Sequence, residues 1–201
     1  MDIDIQKLKG RYVYLEKLDW RHKEVLRSIA KDKRIWEFNL LLLVEEAYDT
    51  EFDQYFSIAM NNEEIGGQQA FVIYRTDNNE IIGMTRYANI DPKNKRLEIG
   101  YTWYIPSVWG KVYNKECKLL LLQYVFEELH YNRAQLNVAS QNVRSQKAVE
   151  KIGGVKEGVL RKHGYRNDGS LKDTVIFSII DDEWPVKKES LLRLIAKSEN
   201  D

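Results

Sequence analysis

The order of the predicted elements indicates a mixed α/β (α+β) fold, in which one sheet contains both antiparallel and parallel strands. Residues 11–18 alternate between apolar and polar side chains, and further strand segments follow over residues 68–75, 80–90 and 96–105. After these come a helix, a strand and a second helix, an order that requires a crossover to a parallel strand. The crossover places the turn at Gly110 beyond the carboxyl end of a strand, where ligands usually bind in such sheets.

The remaining elements are predicted from their periodicity and their turn residues. Segments with a helical pattern cover residues 20–32, 113–130, 142–154 and 187–197. Residues 40–62 have a mixed pattern that predicts one or two helices with an undefined break. A strand covers residues 134–140, and residues 158–180 form a hairpin whose turn is indicated by Asp168-Gly169.

Composition excludes several classes of function. The chain has 201 residues with 31 basic and 31 acidic side chains, so no charge excess favours nucleic acid or a membrane surface as a partner. The single cysteine, Cys117, excludes an internal disulfide and a cysteine-based zinc site, and it favours a reducing setting. Residues 1–10 are charged throughout, unlike a signal peptide, and no apolar run approaches the ~20 residues of a membrane helix. We therefore expect one cytoplasmic domain over residues 1–201.

The segment from Pro106 to Leu129 has the features of an anion-binding turn. A helix N-terminus leaves about four backbone N–H groups without intrahelical acceptors, and the helix dipole adds partial positive charge there. Gly110 leaves room for a phosphate, Lys111 adds a cation and Trp109 offers a flat apolar wall. The alternative is an ordinary strand-to-helix turn, because the segment matches neither the dinucleotide fingerprint nor the P-loop.

Two longer runs resemble one protein family. "LEIGYTWYIPSVWGKVYNKECKLLLLQYVFEEL" (residues 97–129) and "NRAQLNVASQNVRSQKAVEKIGGVKEGVLR" (residues 132–161) are similar to the acetyl-CoA-binding core of the GNAT N-acetyltransferases. The tail "DTVIFSIIDDEWP" is typical of the RimJ/RimL-like branch, which acetylates protein N-termini and small amines. The resemblance covers residues 10–185, and a C-terminal helix is expected over residues 186–198. It implies a mixed sheet of about six or seven strands, splayed in its centre, with about four or five helices.

The resemblance also implies a coenzyme A site at the helix head. The family motif Q/R-x-x-G-x-G/A reads here from Ser107 to Val112, with the central glycine kept at Gly110. It implies that the pyrophosphate accepts hydrogen bonds from the backbone of residues 110–114. Val112 replaces a small residue, and we expect it to narrow this approach. The implied cofactor-binding residues are Tyr104, Ile105, Trp109, Gly110, Lys111, Val112, Tyr113, Asn114, Asn142 and Lys147.

The strand before the turn is implied to hold the pantetheine arm of acetyl-CoA. In the family this strand, which ends here at Tyr104-Ile105, splays away from the strand at 134–140, and the cofactor's amides fill the gap. From the residues alone, a plain buried strand is the alternative. Family geometry makes the backbone N–H near Ile105 the oxyanion donor. Glu98 is the candidate general base acting through water, against the alternative of a surface carboxylate on an exposed strand face.

The second helix carries the candidate partner of the leaving thiolate. Many members of the family have N-x-x-A-x-x-x-Y here, and this chain has Asn142 at its start and Val149 at the tyrosine position. Valine cannot donate a proton. Ser145 lies one turn earlier on the same face, and the RimJ/RimL-like branch has a serine there as the proposed thiolate partner. The alternatives are local roles, with Asn142 as the helix N-cap and Ser145 as an ordinary first-turn serine.

The acceptor implied by the resemblance is a primary amine, either a protein N-terminus or a small molecule such as a polyamine, an antibiotic or an amino acid. Trp36, Phe38 and residues 45–56 are predicted to form its wall with hairpin residues 163–167. The acidic side chains in this wall are candidates to attract a cation, against the alternative of a solvated helix face. A non-catalytic acyl-CoA-binding module is the alternative function. We expect a monomer or a homodimer.

Two other groups of residues are not predicted to act in the site. His22, His130 and His163 share no ligand spacing, so no metal site is expected. Cys117 lies near the N-terminus of the helix at 113–130, and its apolar surroundings favour a buried structural role over a reactive thiolate.

Overall fold

The computed structural model of the chain describes residues 5–38, 46–61, 67–166 and 169–198. Within these residues the α-helices are α1 (Lys23–Ile29), α2 (Tyr48–Met60), α3 (Tyr113–Gln123), α4 (Val143–Lys151) and α5 (Trp184–Lys197). The strands are β1 (Lys7–Lys9), β2 (Val13–Lys17), β3 (Gln69–Arg75), β4 (Ile81–Asp91), β5 (Arg96–Tyr104), β6 (Arg133–Ala139), β7 (Val155–Tyr165) and β8 (Leu171–Ile180). Part of the predicted segment 40–62 and Asp168 of the predicted turn lie outside the described residues.

In the described part of the chain, eight strands form one mixed sheet in the order β1-β2-β3-β4-β5-β6-β8-β7. Neighbouring strands are antiparallel except β5 and β6, which are parallel because α3 connects them as a crossover. The predicted mixed sheet is thus confirmed. The additional strand is β1, which pairs with β2 from Lys7↔Glu16 to Lys9↔Tyr14. Its sequence, Lys-Leu-Lys, contains one apolar side chain and is too short for a strand pattern to be recognised.

The observed helices begin and end close to the predicted segments. A 3-10 turn, Trp20–His22, precedes α1, and a π-helical turn, Tyr124–Glu128, extends α3. α5 begins at Trp184, earlier than predicted, because Pro185 is compatible with a first helical turn. None of the helices among the described residues is both long and apolar enough to cross a membrane.

Helices pack on both faces of the sheet, as the alternation along β3 illustrates. Phe71 and Ile73 belong to the core that α3 and α5 cover, whereas Ala70 and Val72 belong to the core that α1 and α2 cover. The central strands are therefore apolar on both faces, and polar groups within them require a specific partner.

β5 and β6 separate along their length. Their pairing ends at Glu98↔Gln135 after three residue pairs, although β5 continues to Tyr104 and β6 to Ala139. This separation corresponds to the central splay that the family resemblance implied. The backbone groups beyond the last pair face a gap in the middle of the sheet.

A β-bulge lies at the point where the two strands separate. Met84 of β4 pairs with Trp103, but Arg86 pairs with Gly100, which leaves one extra residue on β5. Tyr101, within the bulge, has a φ of +52°, a conformation that is unfavourable for a bulky side chain. The bulge bends β5 away from β6 and re-aims the side chains that follow.

Glu116 connects the head of α3 to the turn between β1 and β2. Its carboxylate accepts hydrogen bonds from the backbone N–H groups of Arg11 at 2.9 Å, Tyr12 at 2.6 Å and Val13 at 2.7 Å. Gly10 permits this approach, because a Cβ atom there would lie 2.6 Å from the Glu116 carboxyl carbon. Glu116 is 5 % exposed, so these bonds are shielded from water.

We predict that Glu116→Ala destabilises the fold by roughly 3 kcal/mol, since it leaves one buried and two partly buried N–H groups without their charged acceptor. Chemical denaturation measures this loss. Glu128→Ala, at an exposed position beyond α3, is the control and should change the free energy of unfolding by less than about 0.5 kcal/mol. Equal losses in the two variants would contradict the role assigned to Glu116.

Candidate active site

The separation of β5 and β6 opens a cleft of about 260 Å³ between the two strands. Residues 101–104 of β5 and 136–139 of β6 form its sides, and the heads of α3 and α4 close its wide end. The predicted site residues that line it are Tyr104, Trp109, Gly110, Asn114, Asn142 and Ser145. The predicted residues that do not line it are Glu98, Ile105, Lys111, Val112, Tyr113 and Lys147.

The backbone at the end of β5 presents the N–H group of Tyr104 to the cleft. Ile105 N–H donates to Ile82 O at 2.9 Å, so it belongs to the ladder between β5 and β4. Because hydrogen-bonding direction alternates along a strand, the N–H of Tyr104 points the other way, towards β6. The N–H of Ile105 itself is therefore occupied, and the oxyanion donor expected near Ile105 stays a prediction that now falls on its neighbour. Tyr104 N–H has the required direction instead.

The turn before α3 leaves open space over Gly110. Gly110 has a φ of +78°, and a Cβ atom built there would meet no heavy atom within 4 Å. The first intrahelical bond runs from Glu116 N–H to Val112 O at 3.1 Å, so the N–H groups of Tyr113 and Asn114 precede the helical ladder. The turn therefore combines free space with backbone donors, as an anion site requires.

Trp109 is fixed as one wall of the cleft. Its indole Nε1–H donates to Tyr104 O at 2.8 Å, which fixes the ring against the end of β5. The guanidinium of Arg144, from the first turn of α4, lies 3.9 Å from the ring centroid of Trp109. Arg144 thus adds a cation to the cleft that Gly110 also lines. Sequence reasoning missed it, although its place in the first turn of α4 was a signal.

The head of α4 is organised by Asn142. The Asn142 side-chain oxygen accepts a hydrogen bond from Ser145 N–H at 2.9 Å, so Asn142 is the N-cap of α4. Both side chains line the cleft, and Ser145 is half-buried there. The structural and functional roles suggested for these two residues are compatible. Val149, at the family's tyrosine position, is 7 % exposed and packs in the core.

Glu98 is buried at the point where β5 and β6 separate. It is 8 % exposed, and its Oε2 accepts hydrogen bonds from Asn89 Nδ2 at 2.9 Å and Asn137 Nδ2 at 2.8 Å. The alternative of an exposed surface carboxylate is therefore wrong. Burial raises the pKa of Glu98, and the Asn89 hydrogen bond partly opposes this rise. A carboxylate with a raised pKa is suited to accept a proton near neutral pH.

Lys118 is a buried cation on the cleft wall that sequence reasoning missed. It lies on α3, one turn after Asn114, and it is 5 % exposed. Its Nζ donates to Thr102 Oγ1 of β5 at 2.8 Å. Burial lowers the pKa of Lys118 to about 8. Its position within "KECKLLLLQ" gave no signal, because a lysine in an amphipathic helix is usually exposed.

The remaining predicted cofactor residues lie around the cleft. Val112 is 9 % exposed and packs in the core, so its side chain does not narrow the approach over Gly110 as expected. Lys111 and Lys147 are exposed. Cys117 is a free, fully buried thiol whose pKa is raised by burial, which agrees with a structural role.

An aromatic cluster forms the apolar wall beside the cleft. Trp36 lies 5.4 Å from Tyr55 and 5.8 Å from Trp103 between ring centroids, and Trp103 Nε1–H donates to the Tyr55 hydroxyl at 3.1 Å. Phe38 lines the cleft as well. Asn167 of the predicted wall lies outside the described residues.

Two of the acidic side chains considered as candidates to attract a cation, Asp49 and Asp53, have partners in α1. Arg27 contacts Asp49 at 3.1 Å and Asp53 at 2.5 Å, and Lys23 contacts Asp53 at 2.8 Å. The Lys23 ammonium lowers the pKa of Asp53. These carboxylates join α2 to α1 instead of facing the cleft. Among the described residues, no group of three or more histidine, cysteine or acidic side chains is placed to hold a metal ion.

The fold and the cleft define a class of protein. Residues 13–155 match the model of the acetyltransferase (GNAT) domain, which is more than half of the chain. The chain therefore belongs to the GNAT acetyltransferase family, and the resemblance found in the sequence is confirmed.

The similar proteins fall in the same family. A Bacillus subtilis (strain 168) protein, named "Putative ribosomal N-acetyltransferase YdaF", is 33% identical over 126 residues, which are 62% of this chain and 66% of that protein. The chain thus spans less than two thirds of the length of this relative. The structure of a GCN5-related N-acetyltransferase from Brucella melitensis has a TM-score of 0.87 and 26% identity, over 97% of this chain and 87% of that one. RimJ of Mycobacterium smegmatis shares the fold, with a TM-score of 0.76, 19% identity and coverage of 90% and 88%. The RimJ/RimL-like branch agrees with these similarities.

We predict that the charge on Lys118 makes stability depend on pH. Its folded pKa of about 8 lies below its ordinary value of 10.5, so the unfolded chain binds more protons between these pH values. The contribution of Lys118 to stability therefore rises as pH increases through this window, by up to about 3 kcal/mol. Denaturation of wild type and Lys118→Met from pH 7 to 10.5 measures it.

The expected result is a difference in unfolding free energy, wild type minus Lys118→Met, that increases with pH across this window. Lys147→Met, which removes an exposed lysine from α4, controls for the loss of one positive charge. A difference that stays flat from pH 7 to 10.5 would show that burial of Lys118 does not affect its ionisation.

Proposed function

We propose that the protein transfers the acetyl group of acetyl-CoA to a primary amine by direct attack in a ternary complex. The observation that carries this proposal is the open end of the β5–β6 gap, where Tyr104 N–H faces the cleft and Gly110 leaves space at the head of α3. Family membership supports the same reaction. A cytoplasmic location stays a prediction.

The residues around the cleft fit coenzyme A. A pyrophosphate over residues 110–114 would accept hydrogen bonds from the N–H groups that precede the ladder of α3. Arg144 on Trp109 places a cation at the same end. Between β5 and β6, a pantetheine arm would bond to strand groups that lack a strand partner beyond Glu98. When bound, acetyl-CoA supplies an acetyl group activated as a thioester.

The chain's own polar groups would then stabilise the negative charge that develops on the carbonyl oxygen and on the leaving sulfur. We assign the N–H of Tyr104, the residue before Ile105, as the donor to the carbonyl oxygen. Ser145, on the cleft wall, is assigned as a hydrogen-bond donor to the leaving sulfur. A serine hydroxyl is a poor acid, so this contribution is stabilisation by a hydrogen bond and not full proton transfer.

Glu98 is assigned as the general base that takes the proton of the incoming ammonium through water. Oε2 already accepts bonds from Asn89 and Asn137, which leaves Oε1 to accept the proton. These two amides hold the carboxylate in one orientation, as a base acting through water requires. Glu98 does not line the cleft directly, so a bridging water is part of the proposal.

We predict that acetyl-CoA and CoA raise the melting temperature, because a ligand that binds only the folded state stabilises it by about 2.7 kcal/mol at a hundredfold excess over Kd. Gly110→Val should reduce this ligand-induced shift by placing a side chain in the open space. Gly169→Val is the matched control, since Gly169 has the same φ of +78° and the same open surroundings but lies in the β7–β8 turn. No shift in wild type with millimolar ligand would overturn the cofactor assignment.

We predict that Glu98→Gln lowers kcat by about 10²-fold near pH 7, the lower end of general-base effects. The defect should shrink towards pH 9, because more of the amine is then already deprotonated. Ser145→Ala should lower kcat less, leave acetyl-CoA affinity nearly unchanged and show no such pH dependence. Glu150→Gln, at an exposed position of α4, is the control.

The pH–rate profiles decide between the roles. A Glu98→Gln defect that is constant from pH 6 to 9 would indicate a positioning role at the strand separation instead of a base. Coenzyme A binding without turnover of any amine would favour the alternative, a non-catalytic acyl-CoA-binding module.

A further inference from the structure

Arg86 of β4 is a buried cation held between two aromatic rings. It is 1 % exposed, and its guanidinium carbon lies 4.6 Å from the ring centroid of Tyr55 and 4.8 Å from that of Tyr101. The two rings orient the planar guanidinium, so its hydrogen bonds can form only in its plane, along its buried N–H edge.

The guanidinium lacks a counter-charge within the described residues. Its Nε and Nη2 have no hydrogen-bond acceptor, and no described carboxylate forms an ion pair with it. Nη1 lies 3.5 Å from Gln68 Oε1, at the limit of a hydrogen bond. Arginine keeps its charge at all accessible pH values, and an unpaired buried charge is costly. Two adjacent unsatisfied donors in one plane are the arrangement that a carboxylate binds in bidentate fashion.

Arg86 does not line the cleft itself, but it lies directly against two residues that do, Gly100 and Tyr101. It pairs in register with Gly100, next to the bulge, and Tyr101 of the bulge lines the cleft. Tyr101 is 40 % exposed, whereas Tyr55 is 7 % exposed. A ligand that enters from the cleft therefore meets the Tyr101 ring first and reaches Arg86 by displacing that ring.

The charges of Glu98 and Arg86 shift the pKa of Tyr101 in opposite directions. Burial is the main cause that raises the pKa of Tyr101, the charge of Glu98 raises it further, and the charge of Arg86 lowers it. Both charges are thus within electrostatic reach of the Tyr101 hydroxyl. In register, Arg86 pairs with Gly100 and Ala88 pairs with Glu98, so the Arg86 and Glu98 side chains lie on the same face of the sheet as diagonal neighbours. A carboxylate and a guanidinium placed in this way are complementary to a ligand with an ammonium and a carboxylate close together.

We infer that the acceptor is a free amino acid, whose carboxylate binds the Nε and Nη2 edge of Arg86 while its amine faces Glu98. This inference rests on the proposed acetyl transfer and names the acceptor class for it. It disfavours polyamines, since a second ammonium group would face Arg86 without a balancing charge.

The test compares amino acids with their carboxamides, which keep the amine and lose the negative charge. With wild type, kcat/KM for the preferred amino acid should exceed that for its carboxamide by on the order of 10²-fold, as expected for a desolvated charge pair. In Arg86→Gln this ratio should fall to about one, with the loss appearing mainly as a raised KM. Arg193→Gln, at an exposed position of α5, should keep the wild-type ratio.

Several outcomes would overturn the inference. Equal use of amino acid and carboxamide by wild type would exclude a carboxylate site, and this comparison does not depend on the folding of any variant. Preference for a peptide N-terminus or for a polyamine over every amino acid would overturn it and leave acetyl transfer intact. If the ratio of kcat/KM between amino acid and carboxamide is unchanged in Arg86→Gln, the carboxylate of the amino acid binds somewhere other than Arg86.

Binding measurements separate this inference from the proposed function. If the protein acetylates no amine, the proposed function fails, and calorimetric titration of amino acid and carboxamide into the CoA-saturated protein still decides the role of Arg86. The expected result is heat from the amino acid only, lost in Arg86→Gln, whereas the thermal shift caused by CoA is unchanged in that variant. Absence of amino-acid binding to wild type would contradict the inference.

Discussion

The end of β5–β6 pairing at Glu98 is the constraint on which the site depends. Beyond that point the bulge at Tyr101 turns β5 away from β6, and the sheet contains a gap where a strand neighbour would otherwise lie. The two amides that bind Glu98 come from Asn89 on β4 and Asn137 on β6. One carboxylate therefore joins three strands where the gap begins. The cleft and the approach to the head of α3 both follow from this junction.

The gap also explains why charged groups are buried there. A continuous sheet covered by helices on both faces has no place for an ionised side chain, because burial without a partner is costly. Among the described residues around the gap, the buried charged side chains include the carboxylate of Glu98 and the cations of Lys118 and Arg86. Glu98 and Lys118 have internal hydrogen bonds, whereas Arg86 has aromatic faces and an unsatisfied edge. We interpret this difference as a division between groups that maintain the site and a group that completes its bonding with a ligand.

Sequence reasoning predicted features that depend on local signals. A few neighbouring residues are enough to predict the turn at Gly110, the N-cap at Asn142 and the helical periodicities. The orientation of the N–H near Ile105 is not local, because it depends on register with β4 and on a bulge several residues away. The burial of Glu98 depends on which strands flank it, and alternation in one strand does not reveal them. Arg86, Lys118 and Arg144 were missed for the same reason, since their environments are built by elements distant in sequence.

A comparison with another arginine makes the assignment of Arg86 more specific. Arg27 lies on the same side of the sheet, and its guanidinium contacts the carboxylates of Glu24, Asp49 and Asp53 within 3.2 Å. Its charge is balanced by the chain itself, and its role is to join α1 to α2. Arg86 is more deeply buried, yet no described carboxylate balances it. An arginine with a purely structural role at that position would stabilise the fold less than an apolar side chain of similar volume, because an ion pair with good geometry is needed to offset the desolvation of its charge. The unpaired charge of Arg86 is explained if the acceptor brings the carboxylate that balances it. The charge of Arg86 then determines which acceptor binds and does not serve to stabilise the fold.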